Sequence, residues 1–286
     1  MKRGATMTFV YAAAGMLMVS LLGLQALKYS DSQEVKSVWQ SLSDYSELTP
    51  QFFKAEMVAD LPDPARRYFL FTIEPGTPLH TVAEIKMTGE IGLGTKEKPN
   101  YMPMEAHQIL APPYGLVWKL KAGSGLMKMT GSDGYLNNKA WVRFWLLNSI
   151  PIVRAGGTSD YIRASLGRVV AEAVFWAPAT LLPQKGVVWE TVAKNKAKAT
   201  IEHNGIHQEL EITVAEDGMP VSVVIPRWSN ENPEKKWRLQ PFGGTLSDFK
   251  RFDGFNISTQ VDGGNHYGAD KYFPFYRAKV ENIHFQ

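Results

Sequence analysis

The chain has no cysteine among its 286 residues. That excludes disulfides, thiolate zinc sites, a cysteine nucleophile and a lipidated-cysteine anchor. An excess of one charge is also missing: 31 Lys and Arg stand against 28 Asp and Glu, well mixed, for a net charge of +3. No nucleic-acid partner is expected from that balance. There is no Gly-x-Ser-x-Gly elbow, since Gly123-Ser124-Gly125 lacks the frame. There is no phosphate loop and no dinucleotide fingerprint. Internal repeats, low-complexity tracts and linkers that would divide the soluble part are absent as well. Of the six histidines, only His203 and His207 are four apart, and Asn204-Gly205 between them makes a hairpin turn rather than a helical zinc pattern. Neither a metal nor a cofactor is expected.

In place of cross-links the chain has apolar bulk. Hydrophobic residues make up 44% and charged residues 21%, enough for a large core. Eight Trp, eleven Tyr and fourteen Phe supply much of it, because each ring buries a large area.

The N-terminus reads Met-Lys-Arg, then an uncharged run from Thr8 to Leu27, then Lys28. Twenty uncharged residues match the hydrocarbon thickness of a bilayer. A secretory signal begins in the same way, but its apolar core is usually about 7–15 residues long. Leu24 also occupies a position before Ala26 where a cleavage site prefers a small residue. The expectation is a transmembrane anchor over 1–28, with secretion after cleavage as the alternative. Lys2 and Arg3 place the N-terminus in the cytoplasm, so the remaining chain faces the periplasm from a single-pass position in the inner membrane.

Residues 29–60 are expected to be a helical stalk. Val35, Val38, Leu42 and Tyr45 recur at helical spacing, and Thr49-Pro50 opens a second helix over 51–59. Leu61-Pro-Asp-Pro breaks it, and a short helix over 65–71 follows. From about residue 81 the period changes to two. In 85–93, Ile85, Met87, Gly89, Ile91 and Leu93 share one face, with Lys86, Thr88 and Glu90 opposite. Strands are expected over 104–110, 116–122, 126–130 and 141–147, with turns at Ser132-Asp-Gly-Tyr and Asn137-Asn138. One amphipathic helix interrupts them, capped by Thr158 or Ser159, carrying Ile162, Leu166, Val169, Val170 and Ala173 on one face, and ended by Pro178. Strands resume over 187–193, 197–203, 206–214, 220–226, 236–241, 245–252, 256–262, 267–273 and 277–285. His203-Asn-Gly, Glu216-Asp-Gly and Asp253-Gly254 are hairpin turns. Pro241-Phe-Gly-Gly reads as a tight bend. The expected fold is α+β and mostly antiparallel β: a strongly curved sheet or half-open barrel over 61–286 with one central helix, because a sheet this large curls or closes.

Four runs carry a resemblance: Leu61-Pro-Asp-Pro-Ala-Arg-Arg-Tyr, Ala111-Pro-Pro-Tyr-Gly-Leu-Val-Trp, the helix run from Gly167 to Pro183, and Pro241-Phe-Gly-Gly. The chain resembles an uncharacterised bacterial envelope family with an N-terminal membrane segment. That family is similar in shape to the lipoprotein-carrier fold, a half-open barrel with helices over its cavity. The resemblance implies binding of acyl chains or lipoproteins outside the cytoplasm.

Arg168 and Glu172 lie four apart on the helix and share a face. They form either a polar mouth for a ligand or an ion pair that orients the helix. Trp118, Trp145 and Trp176, with Met127 and Met129, are expected to line an apolar cavity or to fill the core; Met suits a loosely specific wall. The leading expectation is a membrane-anchored binding protein for a lipid or other hydrophobic ligand. The alternatives are an envelope hydrolase that pairs Glu172 with His107 or His266, and a structural partner in an envelope complex.

Overall fold

The computed structural model describes residues 2–286, with side chains from Tyr11 onward. The side chains of Lys2 and Arg3, on which the orientation rests, and those of Thr8 to Val10 lie outside the described residues.

Six strands follow one another through short turns: β1 (Ala83–Gly92), β2 (Tyr101–Ala111), β3 (Gly115–Ala122), β4 (Met129–Leu136), β5 (Lys139–Leu146) and β6 (Ile150–Gly156). Helix α3 (Ser159–Trp176) then carries the chain to the far edge of the same sheet. Seven more strands return from there: β7 (Val188–Ala193), β8 (Lys196–His203), β9 (Ile206–Val214), β10 (Pro220–Ser229), β11 (Arg238–Phe252), β12 (Phe255–Asn265) and β13 (Phe273–Phe285). β13 pairs with β1, which closes the two meanders into one antiparallel sheet of 13 strands with β6 and β7 at its unpaired edges. Helix α3 touches β2 to β5 on one side and β9, β10 and β12 on the other, so both halves of the sheet wrap around it. The tips of the halves also converge, with Tyr114 of the β2–β3 turn 5.6 Å edge-on from His203 of the β8–β9 turn. This is the expected half-open barrel.

Alternation explains the two faces. On β2, Gln108 points to α3 while its neighbour His107 points away, toward Trp39 of α1 (Lys2–Ser43). Helix α1 runs unbroken for 42 residues, about 63 Å at 1.5 Å per residue. It contains a stretch long and apolar enough to cross a membrane, with a mean hydropathy of 1.3. Its C-terminal third is clamped on the convex face. Val38 and Leu42 are buried with Val82, Ile109, Val117 and Trp141, while Asp31 and Glu34 take Arg154 and Arg143 at 2.6 and 2.7 Å. Anchor and stalk share this one helix up to Ser43, as the apolar stripe of the stalk continues it directly onto the sheet.

Helix α2 (Asp63–Thr72) closes one end of the concave side. Tyr68 donates to the Val174 carbonyl at 2.7 Å, and Arg67 reaches the carbonyls of Ala215 and Lys194 at 2.6 and 3.1 Å, tying two hairpin turns to the helix. Further expectations need correction. The helix expected over 51–59 is a single 3-10 turn, Ala55–Val58, because 51–53 are extended and bond to 77–79. Residues 125–127 form another such turn before β4. Ser132-Asp-Gly-Tyr lies inside β4, where Gly134 leaves room for the Trp141 ring. β6 went unread, and 267–273 is mostly a turn opened by His266 and Gly268 at φ 62° and 82°. Pro241-Phe-Gly-Gly is no bend but part of the 15-residue β11.

Candidate functional site beneath the central helix

The period-two pattern of β10 puts Val223, Ile225 and Arg227 on the core face, so a cation ends an otherwise apolar series. Helix α3 presses onto this strand through Gly167, where an added Cβ would stand 3.3 Å from Ile225 and 3.1 Å from Gln208. Further along, the helix stands off the sheet and leaves a cavity of about 220 Å³. Phe144, Phe175, Phe242, Phe275, Ile91 and Val261 form its apolar walls. Its floor is the glycine ladder in which Gly243 faces Gly264 and Gly244 faces Gly263. Gly243 and Gly244 allow backbones to approach, since a Cβ on either would stand 2.3 Å from a carbonyl oxygen. Gly263 is different: its Cβ would meet nothing nearer than 3.8 Å, so its missing side chain is open space in the cavity.

A polar cluster forms one wall. Arg168 donates through Nε to Glu172 at 2.5 Å, through Nη1 to Asp133 at 2.7 Å and through Nη2 to Gln108 at 3.4 Å. Gln108 in turn donates to the second oxygen of Glu172. The four side chains join α3 to β2 and β4. Burial alone would lower the Arg168 pKa, but the carboxylates of Asp133 and Glu172 outweigh it and hold the proton more firmly than usual. The Arg168 guanidinium also lies 5.3 Å from the Trp118 ring centroid.

Arg227 lines the same cavity without a direct carboxylate. Burial, assisted by the nearby Arg168 charge, pulls its guanidinium down to about 10. Its Nε, the Nε1 of Trp118 and the Oδ1 of Asp133 are buried polar atoms with no hydrogen-bond partner among the described residues. Burial also holds the Tyr276 phenol above its ordinary range. Asp133, Arg168 and Arg227 line a second, more polar cavity of about 250 Å³ as well, with Tyr161, Asn230 and Trp237 around it. The three residues therefore stand at the junction of an apolar chamber and a polar vestibule.

Of the residues singled out from the sequence, Arg168, Glu172 and Trp118 meet at this cavity. Met129 is buried in the main core, and Trp176 is fully buried there beside Phe175 without lining the chamber. Met127 lies outside, 55% exposed on the turn before β4. Trp145 is on the opposite face, because β5 alternates and sends Phe144 inward. There it lines a larger groove of about 820 Å³ between α1 and the sheet, among Lys28, Lys86, Lys119, Lys121 and Arg143. That groove is open on one side and carries several charged side chains along its lining. His107 belongs to the same outer side, 3.5 Å from Glu84, and His266 lines neither inner cavity. Neither histidine therefore reaches Glu172, and for His107 the alternation of β2 is the reason.

Asp133, Arg227 and the glycine floor were missed. Arg227 was readable as the one charge on the core face of an apolar strand. Asp133 was hidden by its Asp-Gly turn signature.

No curated protein sequence matches the chain. Among solved structures, it is similar to a LolA superfamily protein from Nitrosomonas europaea, at 8% identity and a TM-score of 0.38 over 78% of this chain and 92% of that one. It is also similar to a domain described as an outer membrane lipoprotein-sorting protein from Vibrio parahaemolyticus, at 9% identity and a TM-score of 0.32 over 72% and 85%. Likeness at this level assigns neither ligand nor activity. Residues 51–278, which hold α2, α3 and the sheet up to the middle of β13, match the family model described as a family of unknown function, DUF6544, and the chain belongs to that family.

Proposed function

We propose that the protein is a membrane-anchored, extracytoplasmic binding protein for a lipid or other hydrophobic ligand. One observation carries this reading: the aromatic-lined chamber between α3 and the glycine floor of the sheet. Ligand sites are concave and mostly apolar, with a few convergent polar groups, and this chamber has both parts. Its size sharpens the reading. At roughly 30 Å³ per water, 220 Å³ corresponds to about seven waters, room for one short chain or small ring. A several-chain lipid anchor does not fit unless α3 lifts.

The apolar part of α1 supports the membrane side of the proposal. Lys28, at the end of that run, donates to the Asn148 carbonyl at 2.8 Å. The Leu147 amide binds the Lys128 carbonyl, so two turns lie together beside the helix. Leu126 on one turn and Leu147 on the other are exposed, with Ile150 close by. Such a rim suits the interface of a bilayer that the domain hangs from.

The test is native mass spectrometry of the full chain released gently from nanodiscs. Bound small amphiphiles, lost in a Gly263→Leu variant that fills the chamber, are the expected result. An empty wild-type protein across several membrane sources would sink the proposal.

A further inference from the structure

Resting on the hydrophobic-ligand reading, we infer that the ligand is a single-chain amphiphile with a carboxylate head, and that Arg227 receives that head. Arg168 already donates from each of its three nitrogens, to Glu172, Asp133 and Gln108. Arg227 has no ion-pair partner among the described residues, and its buried Nε has no acceptor. The Phe242 ring centroid lies 4.5 Å from the guanidinium. Arg227 is half-buried, and the carboxylates of Asp133, Glu172 and Glu231 act on it only without direct hydrogen bonds, so its charge is poorly compensated. A guanidinium offers a planar fork of donors that matches a carboxylate in two bonds. Trp118 lines the same chamber as well, its own Nε1 buried and unpartnered. With Arg227 lining the chamber and free of any ion pair among the described residues, its guanidinium asks for an acceptor-rich head.

The carboxylate that shares the junction with Arg227 narrows the class. Asp133 Oδ1 is also unpartnered, so a doubly charged head would face a carboxylate it cannot neutralise. A monoanion meets about half that repulsion, which the Arg227 charge can offset. Because Arg227 stands at the junction, the head lies between chamber and vestibule while the tail fills the space among Phe144, Phe175 and Phe275. A chain of about seven carbons matches the volume derived above, which makes octanoate the natural probe.

The experiment is calorimetric titration of full-length protein in nanodiscs, with empty discs subtracted, using octanoate, octanol and octyl phosphate. A hydrogen bond to a charged group is worth about 1.5–3 kcal/mol, so octanoate should bind about 10- to 100-fold more tightly than octanol. Arg227→Gln should erase that preference and leave octanol binding within about threefold of wild type. Should that variant fail to fold, wild type alone decides: octanoate binding should weaken as the pH falls below the carboxylate range near about 4.5, while octanol binding stays constant. Equal affinity for octanoate and octanol, or a preference that survives Arg227→Gln, overturns the assignment of the head but leaves the hydrophobic-ligand reading standing. Tightest binding of octyl phosphate overturns the carboxylate class. Binding of none of the three overturns both.

Discussion

Replacing Arg168 with Met removes the cation that holds two carboxylates in the interior. The side chains of Arg168, Glu172 and Asp133 are 16%, 9% and 21% exposed, so water does little to shield the charges left behind. Removing one member of a buried ion-pair set costs about 3–5 kcal/mol, because the partners stay buried and unpaired. For a domain of this size 1 kcal/mol moves the melting temperature by roughly 2–4 °C, which predicts a drop of about 6–20 °C for Arg168→Met. Urea unfolding followed by tryptophan fluorescence should show the same loss as a lower midpoint at unchanged slope. The triple change Asp133→Asn, Arg168→Met, Glu172→Gln removes every charge of the cluster and should be less destabilised than Arg168→Met alone. Helix α3 also buries Leu166, Val169, Val170, Ala173 and Val174, and this packing is the competing explanation for its position. If Arg168→Met lies within about 1 kcal/mol of wild type, or the triple variant is the weaker, packing alone holds the helix and the cluster is not its fastener.

Three other outcomes are expected. Leu42→Ala, at a fully buried contact of α1 with the sheet, should cost about 2–5 kcal/mol in chemical unfolding, and Ser41→Ala beside it almost nothing. Burial and the Lys119 charge hold the His107 imidazole below its ordinary range, against the pull of Glu84. The folded state thus binds fewer protons there than the unfolded chain, so stability should fall as pH drops below about 6.5. His107→Gln should remove part of that loss in thermal melts at pH 5 to 7; His203 and His266 shift the same way and account for the rest. Gly263→Ala should fold with near-normal stability and weaken binding of an apolar probe, whereas Gly244→Ala should unfold at markedly lower urea, since its Cβ would stand 2.3 Å from the Asp262 oxygen.

The sheet was legible where alternation was regular. In β1, Ile85 and Met87 are buried and Lys86 is exposed, as the pattern requires. The central helix was legible from its apolar stripe, although Asp160 serves Trp228 Nε1 at 2.7 Å. Two kinds of error followed from local signals that tertiary contacts overrule. Asp133-Gly134 looks like a turn, yet both residues are drawn into β4 by pairing with β5 and by the Trp141 ring. Residues 51–59 look helical, yet 51–53 bond to 76–79 and only Ala55–Val58 turns. At the site, Arg168 and Glu172 were found by their spacing on one helix. Their partners Gln108 and Asp133 sit on two strands, and no local rule links residues so distant in sequence. Trp145 and Phe144 show the reverse limit: one step along a strand decides which side of the protein a ring serves.

The unbroken α1 has a mechanical consequence. A flexible tether would let a domain sample a wide volume and deliver its cargo at a distance. Here the same rigid rod that carries the apolar segment is bolted to the convex face by Val38, Leu42 and the Asp31 and Glu34 ion pairs. The mouth of the barrel then keeps a fixed height and bearing relative to that segment. On the proposed binding role, a protein built this way would act as a docking post rather than a ferry, and its ligand would travel to it.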